Sequence, residues 1–358
     1  MDERFDISRR KALAALGTIG VASAGAGLGT SAYFSDQETF ENNSLTAGTL
    51  DMGVGYTAHY SDWSSDEDDN LSGDVHMYDG GPNEVGGSTE LESQVGTDAI
   101  GLPANDAWLI AVESESDADQ FLDNTQTGVY PDENNDGDQD TIECVDNGSG
   151  ALESNVQADD APKPVINLDD VKPGDFGEVT FDFILCDNPG YVWLNGELQS
   201  ASENGTTEPE LDDPDEADGV DEDPEDVVEL LDVVQAAVWV DDGDNYQDGT
   251  EDPLVVDSLR NVLGMISGDN NGTFLNAPEQ YTPTDGGNMG SRTCFSANTE
   301  HSVVFAWWVP IDHGNEIQSD SAEFTLGFYT EQCRHNDGSG MNNEDLGPQT
   351  DDDAETPS

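Results

Sequence analysis

Hydrophobic residues in this chain come in short runs separated by long polar stretches. The runs are DAWLIAVE (Asp106–Glu113), KPVINL (Lys163–Leu168), EVTFDFILC (Glu178–Cys186), AAVWV (Ala236–Val240), HSVVFAWWV (His301–Val309) and AEFTLGFYT (Ala322–Thr330). In the third run Val179, Phe181, Phe183 and Leu185 alternate with Thr180 and Asp182, and in the last Phe324, Leu326 and Phe328 alternate with Glu323 and Thr325. This period of two, in β-branched and aromatic residues, predicts half-buried antiparallel strands. GTLDMGVG (Gly48–Gly55) adds a less regular strand. Two segments carry helical spacing instead. DPEDVVELLDVV predicts a helix with Asp223 as N-cap and Pro224 at N1. DPLVVDSLRNVLGMISG predicts another, with Asp252 and Pro253 at its start and Gly268 at its end.

The polar stretches Ser61–Asp106, Glu115–Ala161 and Gln199–Asp221 are rich in Asp, Gly, Asn and Ser and read as loops inserted between the strands. Residues 335–358, ending TDDDAETPS, read as a disordered acidic tail. The expected architecture is all-β: one antiparallel β-sandwich over residues 48–334, with two short helices and long acidic loop insertions.

The N-terminus follows a different pattern. Arg4, Arg9, Arg10 and Lys11 precede an Ala- and Gly-rich run, and Thr30 and Ala32 fit the positions before a cleavage site. Residues 1–32 therefore read as a signal peptide, cut by a signal peptidase between Ala32 and Tyr33. Arg9-Arg10 also fits a twin-arginine signal, which leaves the export route open. A membrane anchor is the weaker reading, because Gly17, Gly20, Gly25, Gly27 and Gly29 dilute a span that needs about 20 apolar residues. No later segment is apolar enough to span, so the expected mature protein is secreted, at the cell surface or in the extracellular matrix.

Charge narrows the setting further. Nine Lys and Arg stand against 79 Asp and Glu, a formal charge of −70. Such a surface repels itself in dilute buffer and is screened in molar salt, where the Debye length falls to about 3 Å. It reads as a halophile's solvated surface and excludes binding of nucleic acid through a basic patch. Cys144, Cys186, Cys294 and Cys333 form no CxxC pair and predict two disulfides, with three connectivities possible. Asn42, Asn70, Asn147, Asn204 and Asn271 begin sequons.

One local motif carries ligand chemistry. In PDENNDGDQDTIEC, Asp132, Asn134, Asp136, Asp138, Asp140 and Glu143 occupy positions 1, 3, 5, 7, 9 and 12 of a calcium loop, with Gly137 at position 6. Gln139 stands at position 8, where an apolar residue is usual, and no helices flank the motif. The expectation is a structural calcium ion on a β framework. DDGDNYQDGTED (Asp241–Asp252) is a less regular acidic loop. The histidines, His59, His76, His301, His313 and His335, form no HExxH motif, and neither a G-x-S-x-G elbow nor a P-loop is present. No catalytic residue is assigned. Trp307 and Trp308 place one ring on each face of their strand.

The residues after the signal carry a resemblance. Ala32, then Tyr33-Phe34-Ser35-Asp36, a polar spacer and Leu45-Thr46-Ala47-Gly48-Thr49-Leu50-Asp51 resemble the TasA/camelysin family, whose signals are cut by a SipW-type peptidase. LDDVKPGDFGEVTFDFIL (Leu168–Leu185) is similar to that family's turn and core strand, and DSAEFTLGFYTEQ (Asp320–Gln332) to its last strand. FDFILCDNPGYVWL and FYTEQCRHN are similar to a cysteine-bearing halophilic branch. The resemblance implies a jelly-roll fold and a filament or pilus subunit of the surface or matrix. Residues 33–47 would then be a donor strand that pairs with a neighbouring subunit, with Phe34 and Phe40 as anchors and Glu41-Asn42-Asn43 as hinge. It also implies a first alternative, a camelysin-type surface metallopeptidase with a zinc site. The second is a monomeric surface binding module that keeps its N-terminal strand in its own sheet.

Overall fold

The pattern with a period of two resolves into fifteen described strands. The computed structural model describes residues 35–40, 51–62, 67–73, 76–79, 100–103, 108–112, 114–146, 152–156, 166, 171–203, 228–243, 245, 251, 253–267, 272–276, 292–310, 317–333, 336, 338–340 and 343. The predicted signal peptide and its cleavage site at Ala32 and Tyr33, Phe34, the Glu41-Asn42-Asn43 hinge, most of the KPVINL run and the sequons other than Asn70 lie outside them.

Two antiparallel sheets make the sandwich. The smaller has the order β1 (Ser35–Phe40), β15 (Ser321–Gln332), β10 (Gly190–Ser202), β13 (Thr273–Leu275). The larger has the order β12 (Val255–Ser258), β11 (Gln235–Asp241), β14 (Glu300–Trp308), β9 (Phe176–Leu185), β2 (Met52–Ser61), β6 (Gln126–Tyr130). Their facing sides close one core. Phe328 of β15 meets Phe181 edge-on at 5.6 Å and lies 5.7 Å from Phe183, while Phe324 lies 6.0 Å from Phe305. Val192 and Leu194 complete it from β10, and Met52, Val54 and Tyr56 from β2. Each large side chain buried here is worth about 1.5–3 kcal/mol, the main force holding the sheets together.

The turn into β9 follows from its residues. Pro173 presets φ and Gly174 takes φ 102°, so Asp175 N–H returns to Lys172 O at 3.0 Å. The Asp175 carboxylate then accepts from Tyr60 Oη at 2.7 Å and from Lys172 N–H at 3.1 Å, pinning the turn to β2.

The helices depart from expectation. Of DPEDVVELLDVV only a single turn, α2 (Leu230–Val233), is described, and residues 223 and 224 lie outside the described set. DPLVVDSLRNVLGMISG does not start its helix at Asp252. Val255–Ser258 is instead the edge strand β12, and α3 (Leu259–Ile266) begins after Ser258, whose hydroxyl accepts from Asn261 N–H. Val255 and Val256 are β-branched and pair with Val238 and Ala237 of β11, so sheet pairing overrides the helical spacing. The Glu115–Ala161 stretch, expected to be loop, holds α1 (Glu115–Thr125). Its cap is Ser114, whose side chain accepts from Asp117 N–H.

The insertions build a third layer. β3 (His76–Asp79), β5 (Trp108–Val112) and β4 (Ile100–Pro103) form a small sheet in that order; α1 packs on β2 and β5, and β4 lies by β14. β7 (Cys144–Asp146) pairs with β8 (Leu152–Ser154), which lies by β2. As a result all ten residues of β9 are buried, including the alternating polar ones that the sequence assigned to a solvated face.

Both disulfides form among the candidates the sequence left open: Cys144–Cys186 and Cys294–Cys333. Asn336, Gly338, Gly340 and Asn343 are described against the domain. Asn343 and the buried Asn195 exchange amide hydrogen bonds, and Arg292 joins Gly338 O to the rings of Trp193 and Phe274.

Candidate functional site

Four places in the fold carry chemistry, and only the first and third touch, through Gln139 and Asp182. The first is the calcium-type loop. Asp132 accepts from Asp136 N–H at 3.2 Å and from Gly137 N–H at 3.3 Å, and Asp136 accepts from Asp138 N–H at 3.1 Å. Asp140 accepts from Glu133 N–H at 2.6 Å. The chain thus wraps around its own carboxylates, with Gly137 at φ 92° in the sharp turn. Asn134, Asp136, Asp138 and Glu143 are exposed, and Asp132 and Asp140 are half-buried. Their oxygens do not converge into a three-carboxylate cluster within 4.8 Å. Gln139, the departure at position 8, turns inward, where its amide donates to Tyr130 O at 2.9 Å and to the carboxyl of Asp182 on β9. It occupies the core-facing place of an apolar residue and meets a buried carboxyl there. The Cys144–Cys186 disulfide ties the end of the loop to the end of β9.

The second is a set of three carboxylates that no spacing announces. Glu203 after β10, Glu229 before α2 and Asp320 before β15 bring one oxygen each within 4.8 Å of the others, a set that could hold a metal ion. Asp320 also accepts from Leu230 N–H at 2.9 Å. Oxygens are the ligands a hard cation takes. The pairing of β10 with β15 brings positions 203 and 320 together, and α2, which packs by β15, adds Glu229.

The third is the buried polar side of the larger sheet. Across it run Gly55, Asp182, Ser302 and Asp241 as successive partners. Ser302 Oγ donates to Asp182 at 2.5 Å. Burial pushes the Asp182 carboxyl up to about 7, against the Ser302 hydrogen bond, with Glu300 adding to the rise. Burial likewise pushes Asp241 up to about 6, although Gly243 N–H and Asn245 N–H donate to it. In the weaker acidic loop, Asp241 thus serves β11 and the loop backbone. Two positions further along the same face, beyond Thr57 and Thr180, His59 is opposite Glu178, and burial pulls the His59 imidazole down to about 4.

The fourth is the sheet edge at β1. Ser35 to Phe40 pair antiparallel with Glu331 to Leu326, Phe40 opposite Leu326. Among the described residues β1 has β15 on one side and no strand on the other.

A zinc peptidase centre needs histidines gathered with carboxylates. Among the described residues the one metal-capable cluster contains no histidine. His301 sits half-buried between Phe183 and Phe295, with Nε2 3.0 Å from Ser296 O. Trp307 faces the core against Tyr60, and Trp308 is fully buried on the opposite side, so neither ring is exposed. No helix of the described residues is long and apolar enough to cross a membrane. Compared with known proteins, the chain matches no protein-family model and no curated sequence.

Proposed function

We propose that this chain is an exported subunit of a cell-surface or matrix filament, assembled head to tail by exchange of its N-terminal strand. The observation that carries the reading is the pairing of β1 with β15. β1 is a six-residue terminal strand on a sheet edge, and the next described residue after it is Asp51. The pairing is made by backbone groups, so an identical strand from a neighbour satisfies the same edge in the same register. Each backbone hydrogen bond is worth about 1 kcal/mol net, and the count is equal in the closed and exchanged forms. Local subunit concentration then decides between them, and an exchange that does not close on itself propagates a fibre. The two disulfides fit an extracellular setting. A structural calcium ion in the 132–143 loop belongs to this reading, with Asp132, Asn134, Asp136, Asp138, Asp140 and Glu143 as its ligands.

A second reading rests on the same strand. A monomeric surface module keeps β1 in its own sheet, the arrangement found in the single chain. Cysteines at one register pair separate the two. Thr39→Cys and Gly327→Cys proteins, mixed in molar salt with calcium and oxidised, give disulfide-linked dimers if strands exchange. Cross-linking only within a doubly substituted chain, with no species larger than a monomer from the mixture, assigns the protein to the monomeric reading.

A further inference from the structure

Among the sequons, Asn70-Leu71-Ser72 is the one whose asparagine is described, and it lies on a loop that the fold holds in place. The Glu67 carboxylate accepts from Ser61 Oγ and from Asp62 N–H at 3.0 Å, which ties the loop to the end of β2. The loop then runs along α1 from its last turn to its first. The Asn124 amide donates to Glu67 O at 2.8 Å and to Asp69 O at 3.0 Å. Ser72 N–H and Ser72 Oγ donate to the Asp117 carboxylate at 2.6 Å and 2.8 Å. Between these anchors Leu71 N–H reaches Asp68 O at 3.4 Å, and Asn70 takes φ 68° at the third position of that turn. Asn and Gly are the residues that best accept this left-handed conformation. Asn70 is exposed, and no hydrogen bond to a described residue engages its amide.

Glycine would serve that turn as well as asparagine. An exposed asparagine with a hydroxyl two residues on, and no proline between, is in addition an acceptor for N-linked sugar on the surface loop of an exported chain. We propose that Asn70 is a glycosylation site, modified with an oligosaccharide from a lipid-phosphate donor. In that step Asn70 Nδ2 attacks the anomeric carbon of the donor sugar. A C–N bond forms, the C–O bond to phosphate breaks, the lipid phosphate leaves with that electron pair, and the amide gives up one proton. Nothing is oxidised or reduced. The folded loop commits the Ser72 hydroxyl to Asp117, so transfer takes place on the exported chain before the loop closes on α1. Once closed, the same contacts hold the modified turn on the third layer, over the larger sheet, whereas β1 edges the smaller one. The assignment therefore rests on export, and it stands whether or not strands exchange.

The test uses the full chain recovered from the organism that makes it, digested after glutamate because Lys and Arg are scarce. Cleavage after Glu67 and Glu84 isolates the peptide that carries Asn70. It is read by mass spectrometry with electron-transfer fragmentation, which keeps a sugar on its own residue. A peptide that starts at Tyr33 in the same digest reports export separately. The expected result is sugar mass on Asn70 in the wild type. Asn70→Gln, which leaves the Ser72 contacts to Asp117 in place, loses that mass completely, and so does Ser72→Ala; Ser72→Thr keeps it. An unmodified Asn70 in chains that start at Tyr33 overturns the proposal. So does sugar that persists in Asn70→Gln, because it is then attached to another residue. An unmodified Asn70 in chains that all retain their leader refutes export, and this assignment with it.

Discussion

Asp182 offers the sharpest test of how the third layer changes the protein. Its carboxyl lies under the insertions on a strand buried on both faces, donated to by Ser302 Oγ, and burial raises its folded value to about 7 from 3.8. The folded state therefore holds a proton that the unfolded chain releases between those two values. Stability from this group is present below pH 3.8, is lost as pH rises through the window, and is fully lost above about 7. Three units at 1.36 kcal/mol each amount to about 4 kcal/mol. Asp182→Asn keeps an oxygen to accept from Ser302 and never ionises, so the variant escapes that loss. Urea unfolding of both proteins at constant molar salt, at pH 5.0 and pH 8.5, isolates the effect of Asp182 and its coupling to Asp241 and Glu300, because carboxylates not coupled to it cancel in the difference between proteins. The variant is expected to gain on the wild type by a few kcal/mol at pH 8.5 relative to pH 5.0. A difference that does not change with pH, or that favours the wild type at pH 8.5, refutes the buried, protonated Asp182.

Three further outcomes are expected. A Cβ at position 196 sits 2.5 Å from Ile266 Cδ1 and 2.7 Å from its Cγ1, so Gly196→Ala costs about 1–3 kcal/mol in chemical denaturation; Ile266→Val recovers part of that loss in the double variant. Replacing Cys294 and Cys333 together by alanine releases a loop of sequence separation 39 and lowers stability by about 4 kcal/mol on the chain-entropy scale, measured by thermal unfolding; thiol titration of the unfolded wild type detects no free cysteine. Calcium at a hundred times its dissociation constant raises wild-type stability by about 2.7 kcal/mol, and Asp132→Asn loses most of that gain at the same calcium concentration.

How much of this was legible in the sequence depends on distance along the chain. The cores of β5, β9, β11, β14 and β15 could be read directly, because alternation is a local property imposed by the pleat. The KPGD turn and the self-wrapping turn at Asp132 to Gly137 are contiguous, so each is built from neighbouring residues. β10 was passed over, although YVWLNGELQS is strand-like, because Asn195, Gly196 and Glu197 interrupt its alternation. There Asn195 is buried against Asn343 and Gly196 makes room for Ile266. The Ser114 cap with Asp117 three residues on was a readable start signal for α1, masked by the acidity of everything around it.

By itself, then, the sequence determined the β class, the acidic surface, the even set of cysteines and the local loop that wraps on Asp132. Each of these follows from residue chemistry or from periods of a few residues. Tertiary structure alone decided which cysteines pair and that β1 lies on the edge of β15. It also decided that Glu203, Glu229 and Asp320 meet. Because the insertions fold over the larger sheet, Glu178, Asp182 and His59 lie in an interior rather than in water. A polar residue alternating with apolar ones reads as solvent-facing until a third layer covers it. That covering comes from segments tens of residues away, whose packing no local pattern encodes.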